Sequence, residues 1–348
     1  MGSGFMKLNV AAKTLNVTIH TVRRMFDEGK IRGWRMEGGP RQIWAEDIIA
    51  IARGETIDPG APLPLGDVID SSQTIKRRRS MGSAELLESY SHGERNFENL
   101  DLSFLDLSGA DLRAVNLEGS DLSLVDLSGA NLLDANLSRA NLSGANLSSA
   151  VLVDAKLRDA NSTNVNLSDA NFTGANLERT DLRSANLRNS ILIGAMLRDA
   201  NLSSADLTGA NLKGAILGRA SLLGTDLAGV DLTGVNIKDA NLTGANLTGA
   251  DLGNIDLRRV KLAGANLANA RLFGAKLRGL DLGGAKLQGA DLRRSDLRDT
   301  DLGTANLMGA KLQGAKLQGA YMTPASFRGV DLHQVNYRGV ITRRPFSE

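Results

Sequence analysis

Apolar residues recur at every fifth position of this chain from Phe97 to Tyr337. Of these 49 positions, 48 are apolar and Ser162 is the exception. The residue two places before each of them is small or apolar almost throughout, and Asp or Asn stands between the two at 35 of the 49 positions. The repeated unit is therefore Ala-(Asp/Asn)-Leu-X-X, as in the letters ANLLD of residues 130–134.

A period of five fits neither the turn of a helix nor the simple alternation of a long strand. It fits a chain that turns a corner after each unit, with Ala and Leu pointing inward and Asp or Asn pointing outward. Gly, Ser and Asn near the ends of the units, as in Ser128-Gly129, supply the turns. Four units then close one square coil. We expect a mainly β, four-sided parallel β-helix over residues 96–340, with about 12 coils stacked about 4.8 Å apart and a length of roughly 58 Å.

The composition agrees with such a core. The chain has 348 residues, of which 42% are hydrophobic but only 4% are aromatic. A core of Leu stacked on Leu and Ala on Ala removes the need for the buried aromatic area on which an ordinary core depends. The absence of cysteine excludes disulfides, thiolate metal sites and cysteine nucleophiles.

The charge is balanced in total and uneven along the chain. A net charge of +2 excludes a strongly basic nucleic-acid coat and a strongly acidic tail. Residues 97–170 carry 11 acidic against 4 basic side chains, whereas residues 258–348 carry 7 acidic against 16 basic ones. A partner would therefore meet an acidic first part and a basic last part of the repeat.

The repeat closely resembles the pentapeptide-repeat family, and the resemblance covers about 70% of the chain. It implies that the β-helix is right-handed. Residues 84–95 resemble the short helix that caps such rods. A cap is needed because an end coil exposes unpaired backbone groups and a layer of Leu.

Some members of this family are DNA mimics that bind type II topoisomerases and inhibit them or protect them from drugs. Duplex DNA carries one negative charge per about 1.7 Å, so a mimic of about 58 Å needs about 34. Residues 97–348 carry 27 acidic and 27 basic side chains, which disfavours mimicry by the whole rod. A local acidic docking patch remains open, and a modulator of DNA gyrase that gives drug protection is an alternative function.

Residues twenty apart are expected to stack on one face of successive coils, and two such columns alternate in charge. Opposite charges at about 5 Å stabilise neighbouring strands, so the columns favour a role in coil register. A binding patch for phosphate or an acidic partner is the alternative. The charged columns are Asp251, Arg271, Asp291, Lys311, Asp331 and Asp256, Lys276, Asp296, Lys316. Columns of asparagine are expected to form hydrogen-bonded surface ladders; they include Asn131, Asn136, Asn141 and Asn146.

Residues 6–54 follow a different pattern. Apolar residues within 10–26 fit two short helices joined by a turn at Asn16-Val17-Thr18. A Gly-Gly-Pro turn in the middle of residues 34–44 predicts a hairpin wing, and residues 47–52 predict a third helix.

This segment, with its run AAKTLNVTIHTVRRMFDEGKI and its wing leading into WAEDIIAI, resembles the winged helix-turn-helix of the excisionase and MerR-like families. The resemblance implies a DNA-binding domain over residues 1–54, whose second helix enters the major groove while the wing reaches a phosphate. A helical protein-docking domain is the alternative. The implied DNA-facing residues are Thr18, His20, Thr21, Arg23 and Arg24 on the helix and Arg41 on the wing.

Residues 55–83 are rich in Pro, Gly and Ser, and we expect them to form a flexible linker. Within them lies a basic run made of Lys76, Arg77, Arg78 and Arg79. This run has two equally good interpretations. It makes nonspecific contacts with DNA phosphates, or it is a solvated part of the linker.

No catalytic constellation is present in the sequence. The three histidines, His20, His92 and His333, lie in different segments, and neither a Walker-type phosphate loop nor a Rossmann glycine pattern occurs. We therefore expect no enzyme activity, no cofactor and no metal site. No apolar run has the character of a signal peptide or the length of a membrane span, so we expect a cytoplasmic, nucleoid-associated protein without membrane contact.

Together these patterns predict a non-enzymatic DNA-binding adaptor or scaffold. Its partners are double-stranded DNA, a second copy of itself and a DNA-associated protein such as DNA gyrase. A transcriptional regulator is a further alternative. The aromatic end of the rod, together with a tail at 341–348, is expected to form an end-to-end dimer or filament contact through Tyr321, Met322, Phe327, Tyr337 and Phe346.

Overall fold

The structure, a computed structural model, describes residues 5–7, 33–35, 41–44, 78–324, 326, 328–330, 333 and 335–342. The chain divides into two compact units, Met1–Ser80 and Met81–Glu348. The helices expected within residues 10–26 and 47–52 lie outside the described residues.

The first unit contains a small antiparallel sheet of three strands. β1 (Phe5–Lys7), β2 (Gly33–Arg35) and β3 (Arg41–Trp44) are arranged in the order β1-β3-β2. Trp34 lies opposite Gln42 in the pairing of β2 with β3, which agrees with the hairpin expected around the Gly-Gly-Pro turn. β1 pairs with the other side of β3 and was not expected, because three residues of mixed polarity carry no periodic signal.

The second unit is a rod of stacked coils. Parallel bridges join residues twenty apart, from Asn96 with Asn116 to Tyr321 with Ile341. Each bridge is made of two backbone hydrogen bonds; the N–H of Leu132 donates to the carbonyl of Val151 at 2.7 Å, and the N–H of Val151 donates to the carbonyl of Ala130 at 2.9 Å. The period of twenty confirms the expected four-sided coil of five-residue units.

The corners explain why Asp or Asn precedes each Leu. Its Oδ1 atom accepts the backbone N–H two residues later, as Asn131 does from Leu133 at 3.2 Å, which closes an Asx turn. The fifth residue of the unit then takes a positive φ, 65° at Gly129 and 57° at Asp134. Gly, Asn and Asp adopt this conformation with little strain, and they are frequent there.

The core consists of two kinds of stacked side chain, the large one at every fifth position and the small one two residues before it. Leu202 and Ala200 are both at most 1% exposed, as are most of their counterparts. Ser162 is 1% exposed, and its hydroxyl has no hydrogen-bond partner. The sequence predicts that the side chain at every fifth position is buried from Phe97 to Tyr337. This prediction is wrong for Tyr337 itself, which is 58% exposed.

Helix α1 (Ser83–Ser91) lies at the N-terminal end of the rod, where the sequence predicts a cap. Leu86 is fully buried against the core. The Tyr90 hydroxyl donates to the carbonyl of Arg113 at 2.9 Å, and the Arg95 guanidinium lies 3.7 Å from the Tyr90 ring centre. These contacts attach the cap to the first coils.

The stacking is interrupted at three places within residues 211–281. Among the described residues of these coils, both backbone bonds of a bridge are missing at each place, although the neighbouring bridges of the same coils are formed. The three open seams lie between Asn211 and Asp231, between Asn236 and Asp256, and between Lys261 and Asp281.

Two bulky residues stacked at the small inward position account for two of the three open seams. In the seam at Asp256, Ile255 stacks on Val235, whereas the same column holds Ala in the coils of Ala155 and Ala175. In the seam at Asp281, Leu280 stacks on Val260. The added methyl groups overfill the space between coils and hold the backbones apart. The seam at Asp231 holds only Val230 over Ala210, the same pair of residue types that keeps its bridge at Val235 over Ala215, and the packing does not explain it. Ala210, Val235, Ile255 and Leu280 retain 5–6% exposure.

Candidate functional site

The outward side chains of the rod lie on four faces, and consecutive units occupy consecutive faces. We number them by the Asp/Asn position with which they begin: face 1 from Asn96, face 2 from Asp101, face 3 from Asp106 and face 4 from Asp111. The corner between faces 2 and 3 is therefore diagonally opposite the corner between faces 4 and 1. The two corners differ in charge.

Faces 2 and 3 are acidic in the first four coils. We call this surface the acidic edge; it comprises residues 101–109, 121–129, 141–149 and 161–169. It carries five acidic side chains, and no Lys or Arg occurs within these four described segments. Most of its other outward residues are Ser, Asn or Gly, so the surface is flat. The acidic residues are Asp101, Asp106, Asp121, Asp126 and Asp169.

Two large apolar side chains stand at the corner of the acidic edge. Phe104 and Leu124 have φ values of 64° and 57°, a conformation that is strained for side chains of this size. Leu124 extends over the next coil, where a Cβ placed on Gly144 would come within 2.8 Å of its Cδ2 atom. A corner that favours Gly or Asn thus presents apolar groups between two acidic faces.

Asparagine ladders run along faces 1, 2 and 3, as the sequence predicts. The Nδ2 of Asn166 donates to Oδ1 of Asn146 at 3.0 Å, and Asn146 donates in turn to Asp126 at 3.1 Å. Asp has no N–H to donate, so it fits the first rung of such a ladder. Asn136 and Asn141 donate across a coil in the same way. The observed side-chain bond of Asn131 is the one within its Asx turn, where its Oδ1 accepts from Leu133.

Faces 4 and 1 are basic in the last coils. We call this surface the basic edge; it comprises residues 271–279, 291–299, 311–319 and 336–338. It carries nine Lys and Arg against three Asp. Arg294, Lys311 and Lys316 are exposed and form no ion pair within 4.0 Å in the part of the rod that the structure describes. The nine cations are Arg271, Lys276, Arg278, Arg293, Arg294, Arg298, Lys311, Lys316 and Arg338.

The two predicted columns of alternating charge are stacked as expected, but only their first steps are ion pairs between coils. Arg271 reaches Asp251 at 3.2 Å, and Lys276 reaches Asp256 at 3.9 Å. Asp291 and Asp296 are instead held by the arginines two residues later, at 2.6 and 2.7 Å. Pairing within a coil therefore leaves Lys311 and Lys316 without a carboxylate within 4.0 Å among the residues that the structure describes. Asp331 lies outside the described residues.

The arginine two residues after an aspartate also changes its titration. Arg258 donates hydrogen bonds of 2.9 and 2.6 Å to the Asp256 carboxylate and lowers the pKa of that group to about 2. The same side-chain contact from Arg293 lowers the pKa of Asp291. These carboxylates stay ionised well below neutral pH.

A second charge ladder follows the corner between faces 1 and 2 and was missed in the sequence. Arg179 donates to Asp159 through Nε at 2.6 Å, and Arg219 donates to Asp199 at 2.7 Å, each across one coil. The signal for it is a strict alternation of sign at intervals of twenty. Its members are Arg139, Asp159, Arg179, Asp199, Arg219, Asp239 and Arg259.

The expected DNA-facing residues are mostly outside the described residues. Arg41 lies in β3, and Arg78 and Arg79 are exposed. Thr18, His20, Thr21, Arg23, Arg24, Lys76 and Arg77 are not described.

The expected end-to-end contact is only partly available. Met322 is fully buried, because the next coil bonds to its backbone N–H through Ile341 at 2.9 Å, so its side chain cannot meet a partner. Tyr321 is half-buried beside Gly303, and Tyr337 is exposed. Phe327 and Phe346 lie outside the described residues.

Two further findings concern the described residues. They include no group of three or more His, Asp or Glu side chains placed to hold a metal ion. Their one helix is too short to cross a membrane.

The stacked coils, the Asx corners and the outward charges define the class of this rod as a four-sided parallel β-helix. The family model for pentapeptide repeats matches the chain in eight copies, and the chain belongs to that family, whose β-helix is right-handed. The copies match residues 96–129, 106–144, 130–169, 166–203, 205–244, 240–279, 275–304 and 305–341.

Solved structures of the family are similar to this chain. HetL, a pentapeptide repeat protein involved in heterocyst differentiation regulation in the cyanobacterium Nostoc sp. strain PCC 7120, is 35% identical over 69% of this chain and 94% of its own, with a TM-score of 0.28. A trypsin-treated form of QnrB1, a plasmid-mediated fluoroquinolone resistance protein, is 21% identical over 63% of this chain and 86% of its own, with a TM-score of 0.27. No curated protein matches the chain.

Proposed function

We propose that this protein is a non-enzymatic scaffold that docks on duplex DNA through residues 1–54 and offers the outer surface of its rod to protein partners, including a second copy of itself. The observation that carries the scaffold is the segregation of charge on the rod. Acidic and basic side chains collect on diagonally opposite edges instead of converging around a cleft as catalytic groups do.

The DNA-binding part rests on the sequence of the N-terminal segment. Its resemblance to a winged helix-turn-helix assigns the groove contacts to Arg23 and Arg24, with Thr18, His20 and Thr21 beside them and Arg41 on the wing. Exposed Arg78 and Arg79, in the segment that leads to the rod, would add phosphate contacts. One such module makes few base contacts, so several copies held together by their rods would bind DNA more tightly.

The test is DNA binding by the whole chain, measured by fluorescence anisotropy on duplex DNA at several salt concentrations. The variant Arg23→Ala with Arg24→Ala should lose about tenfold or more in affinity and have a shallower salt dependence. Arg183→Ala with Arg188→Ala removes the same charge from the rod and should change neither quantity. Unchanged affinity in the first variant would remove DNA docking from the proposal.

Sequencing of the DNA retained by the protein separates a scaffold from a transcriptional regulator. Sharp peaks at a few sites favour a regulator, and broad coverage favours an architectural role.

The acidic edge favours modulation of a type II topoisomerase as a second candidate function. Its five negative charges extend over about 19 Å, a length on which duplex DNA carries about 11. A local docking patch is consistent with this density. A supercoiling assay with DNA gyrase tests it; neither inhibition nor protection from a fluoroquinolone would reject this candidate.

A further inference from the structure

We propose that the rod associates laterally with further copies of itself, with the acidic edge of one copy against the basic edge of the next. This deepens the self-association in the proposed function and rests on it. The contact joins the sides of two rods and replaces the end-to-end contact. Met322 cannot take part in an end-to-end contact because its side chain is buried.

The two edges are complementary in charge. The acidic edge holds five carboxylates and no cation within its described segments, and the basic edge holds nine cations against three carboxylates. Three of those cations, Arg294, Lys311 and Lys316, form no ion pair there, although carboxylates one coil away take other arginines as partners. Cations that have no carboxylate partner among the described residues of one copy therefore match an excess of carboxylates on another.

The two corners also both hold apolar groups beside charge. Phe104 and Leu124 lie half-buried at the corner of the acidic edge in a left-handed backbone conformation. At the corresponding corner of the basic edge the Arg294 guanidinium lies 5.6 Å from the centre of the Phe273 ring, so an apolar surface adjoins a cation there. Apolar groups surrounded by charge are the usual centre of a specific interface.

The positions of the edges decide the kind of assembly. They lie on diagonally opposite corners and at opposite ends of the rod, so one copy cannot satisfy both edges with the same partner in a two-fold arrangement. The contact is heterologous, and repetition produces an open, staggered chain of rods. Four coils overlap at each contact.

The size of the contact sets its strength. Two outer corners cannot lay both of their faces on each other, so one face of each rod is covered. Four coils at about 4.8 Å and a face about 10 Å wide cover about 200 Å² per partner, roughly a quarter of what a stable interface needs. We therefore expect weak association that salt reverses, and longer assemblies where DNA concentrates the protein.

The experiment is sedimentation velocity of the full chain, freed of nucleic acid, at 50 mM and 500 mM NaCl. The apparent dissociation constant should rise about tenfold or more at the higher salt concentration. Two variants remove one edge each, and both should stay monomeric at 50 mM NaCl. The acidic-edge variant carries Asp→Asn at Asp101, Asp106, Asp121 and Asp126, and the basic-edge variant carries Arg294→Asn, Lys311→Gln and Lys316→Gln.

Mixing the two variants gives the sharpest result. Each retains the edge that the other has lost, so an equimolar mixture should form a one-to-one dimer and nothing larger. Asn occupies the mutated Asp positions in neighbouring coils and keeps the Asx turn, so the acidic-edge variant should fold normally. The matched charge controls should associate like the original chain; they carry Asp→Asn at Asp134, Asp154, Asp226 and Asp231, or Lys→Gln at Lys156, Lys213 and Lys238.

A third variant separates association from folding. Phe104→Gly with Leu124→Gly places glycine where φ is positive, which relieves strain, and should keep the urea midpoint while weakening association about tenfold. Ala114→Gly makes the same backbone change outside both edges and should leave association intact.

Three outcomes would overturn the inference. The first is a chain that stays monomeric at 50 mM NaCl while still binding DNA, which leaves DNA docking standing. The second is association that neither edge variant changes, which returns the contact to the rod end at Tyr337. The third is a monomeric chain whose basic-edge variant loses affinity for a duplex oligonucleotide, which assigns that edge to nucleic acid.

Discussion

Two stretches of the rod use the same five-residue unit and stack differently. In residues 126–206 the small inward position holds Ala, Ser, Thr or Val, and every bridge is formed. In residues 211–281 Val, Ile and Leu enter that position, and three bridges are open. The large inward position is the same in both. The residue that decides whether coils touch is therefore the small one.

The comparison also shows how much bulk a coil interface accepts. Val235 over Ala215 keeps its bridge, with an Asn236 N–H to Ala215 carbonyl distance of 3.1 Å. Ile255 over Val235 does not. A single Val over Ala keeps the bridge here but not at Val230 over Ala210, whereas a bulky pair separates the coils at Ile255 and at Leu280. Leu105 under Val125, in the first coil of that column, keeps its bridge.

The largest effect should come from removing a large inward side chain in the closed stretch. Leu202→Ala should lower the free energy of unfolding by about 2–5 kcal/mol, because the bonded coils above and below cannot close the cavity. Leu257→Ala, beside an open seam, should lower the free energy of unfolding by an amount near the lower end of that range. Urea unfolding monitored by circular dichroism measures both. Equal costs would show that open seams add no freedom to relax.

An open seam can be created in the closed stretch, residues 126–206, by substitution. Ala155→Val with Ala175→Ile copies Val235 and Ile255 onto the same face, where Asn176 donates to the Ala155 carbonyl at 2.9 Å. We expect a loss of about 1–3 kcal/mol from overpacking. Amide hydrogen exchange at Leu157 and Asn176 should become faster.

The reverse substitution supplies the control. Val235→Ala with Ile255→Ala should slow exchange at Ile237 and Asp256 and cost less than two such truncations cost in a closed core. If exchange at these amides stays fast, bulk at the small position is not what opens the seam.

The sequence predicts the fold of the rod well because its period encodes both the coil and the corner. The Leu column, the Asn ladders and the cap follow from local rules that repeat without interruption. The open seams and the pairing of Asp291 with Arg293 do not follow, because they depend on which of two neighbours a side chain reaches. The two edges could be recognised only after residues five apart were placed on adjacent faces and residues twenty apart on the same face.

A smaller effect is expected where the closed stretch breaks its own pattern. Ser162 occupies a large inward position and buries a hydroxyl without a partner. Ser162→Leu should raise the free energy of unfolding by about 1–2 kcal/mol, since it fills the column between Leu142 and Leu182 and removes an unsatisfied polar group. Ser162→Ala removes the hydroxyl without filling the space and should gain less. A loss of stability in the Leu variant would mean that the coils have already closed around the serine.

The smallest effect concerns a carboxylate at the edge of an open seam. Arg258 lowers the pKa of Asp256 to about 2 in the folded chain, so ionised Asp256 stabilises the fold above the ordinary carboxyl range. That contribution should be lost as the pH falls from about 4 toward 2. The pair is half-exposed, which limits it to under about 1 kcal/mol.

Asp256→Asn should therefore lower the urea midpoint slightly at pH 6 and change it much less near pH 2, where about half of the original carboxylate is protonated. Asp181, held in the same way by Arg183 within the closed stretch, has a lowered pKa as well and provides the matched variant Asp181→Asn. A similar pH dependence of the two differences would place the effect in the Arg–Asp contact, whereas a dependence confined to Asp256 would place it in the open seam.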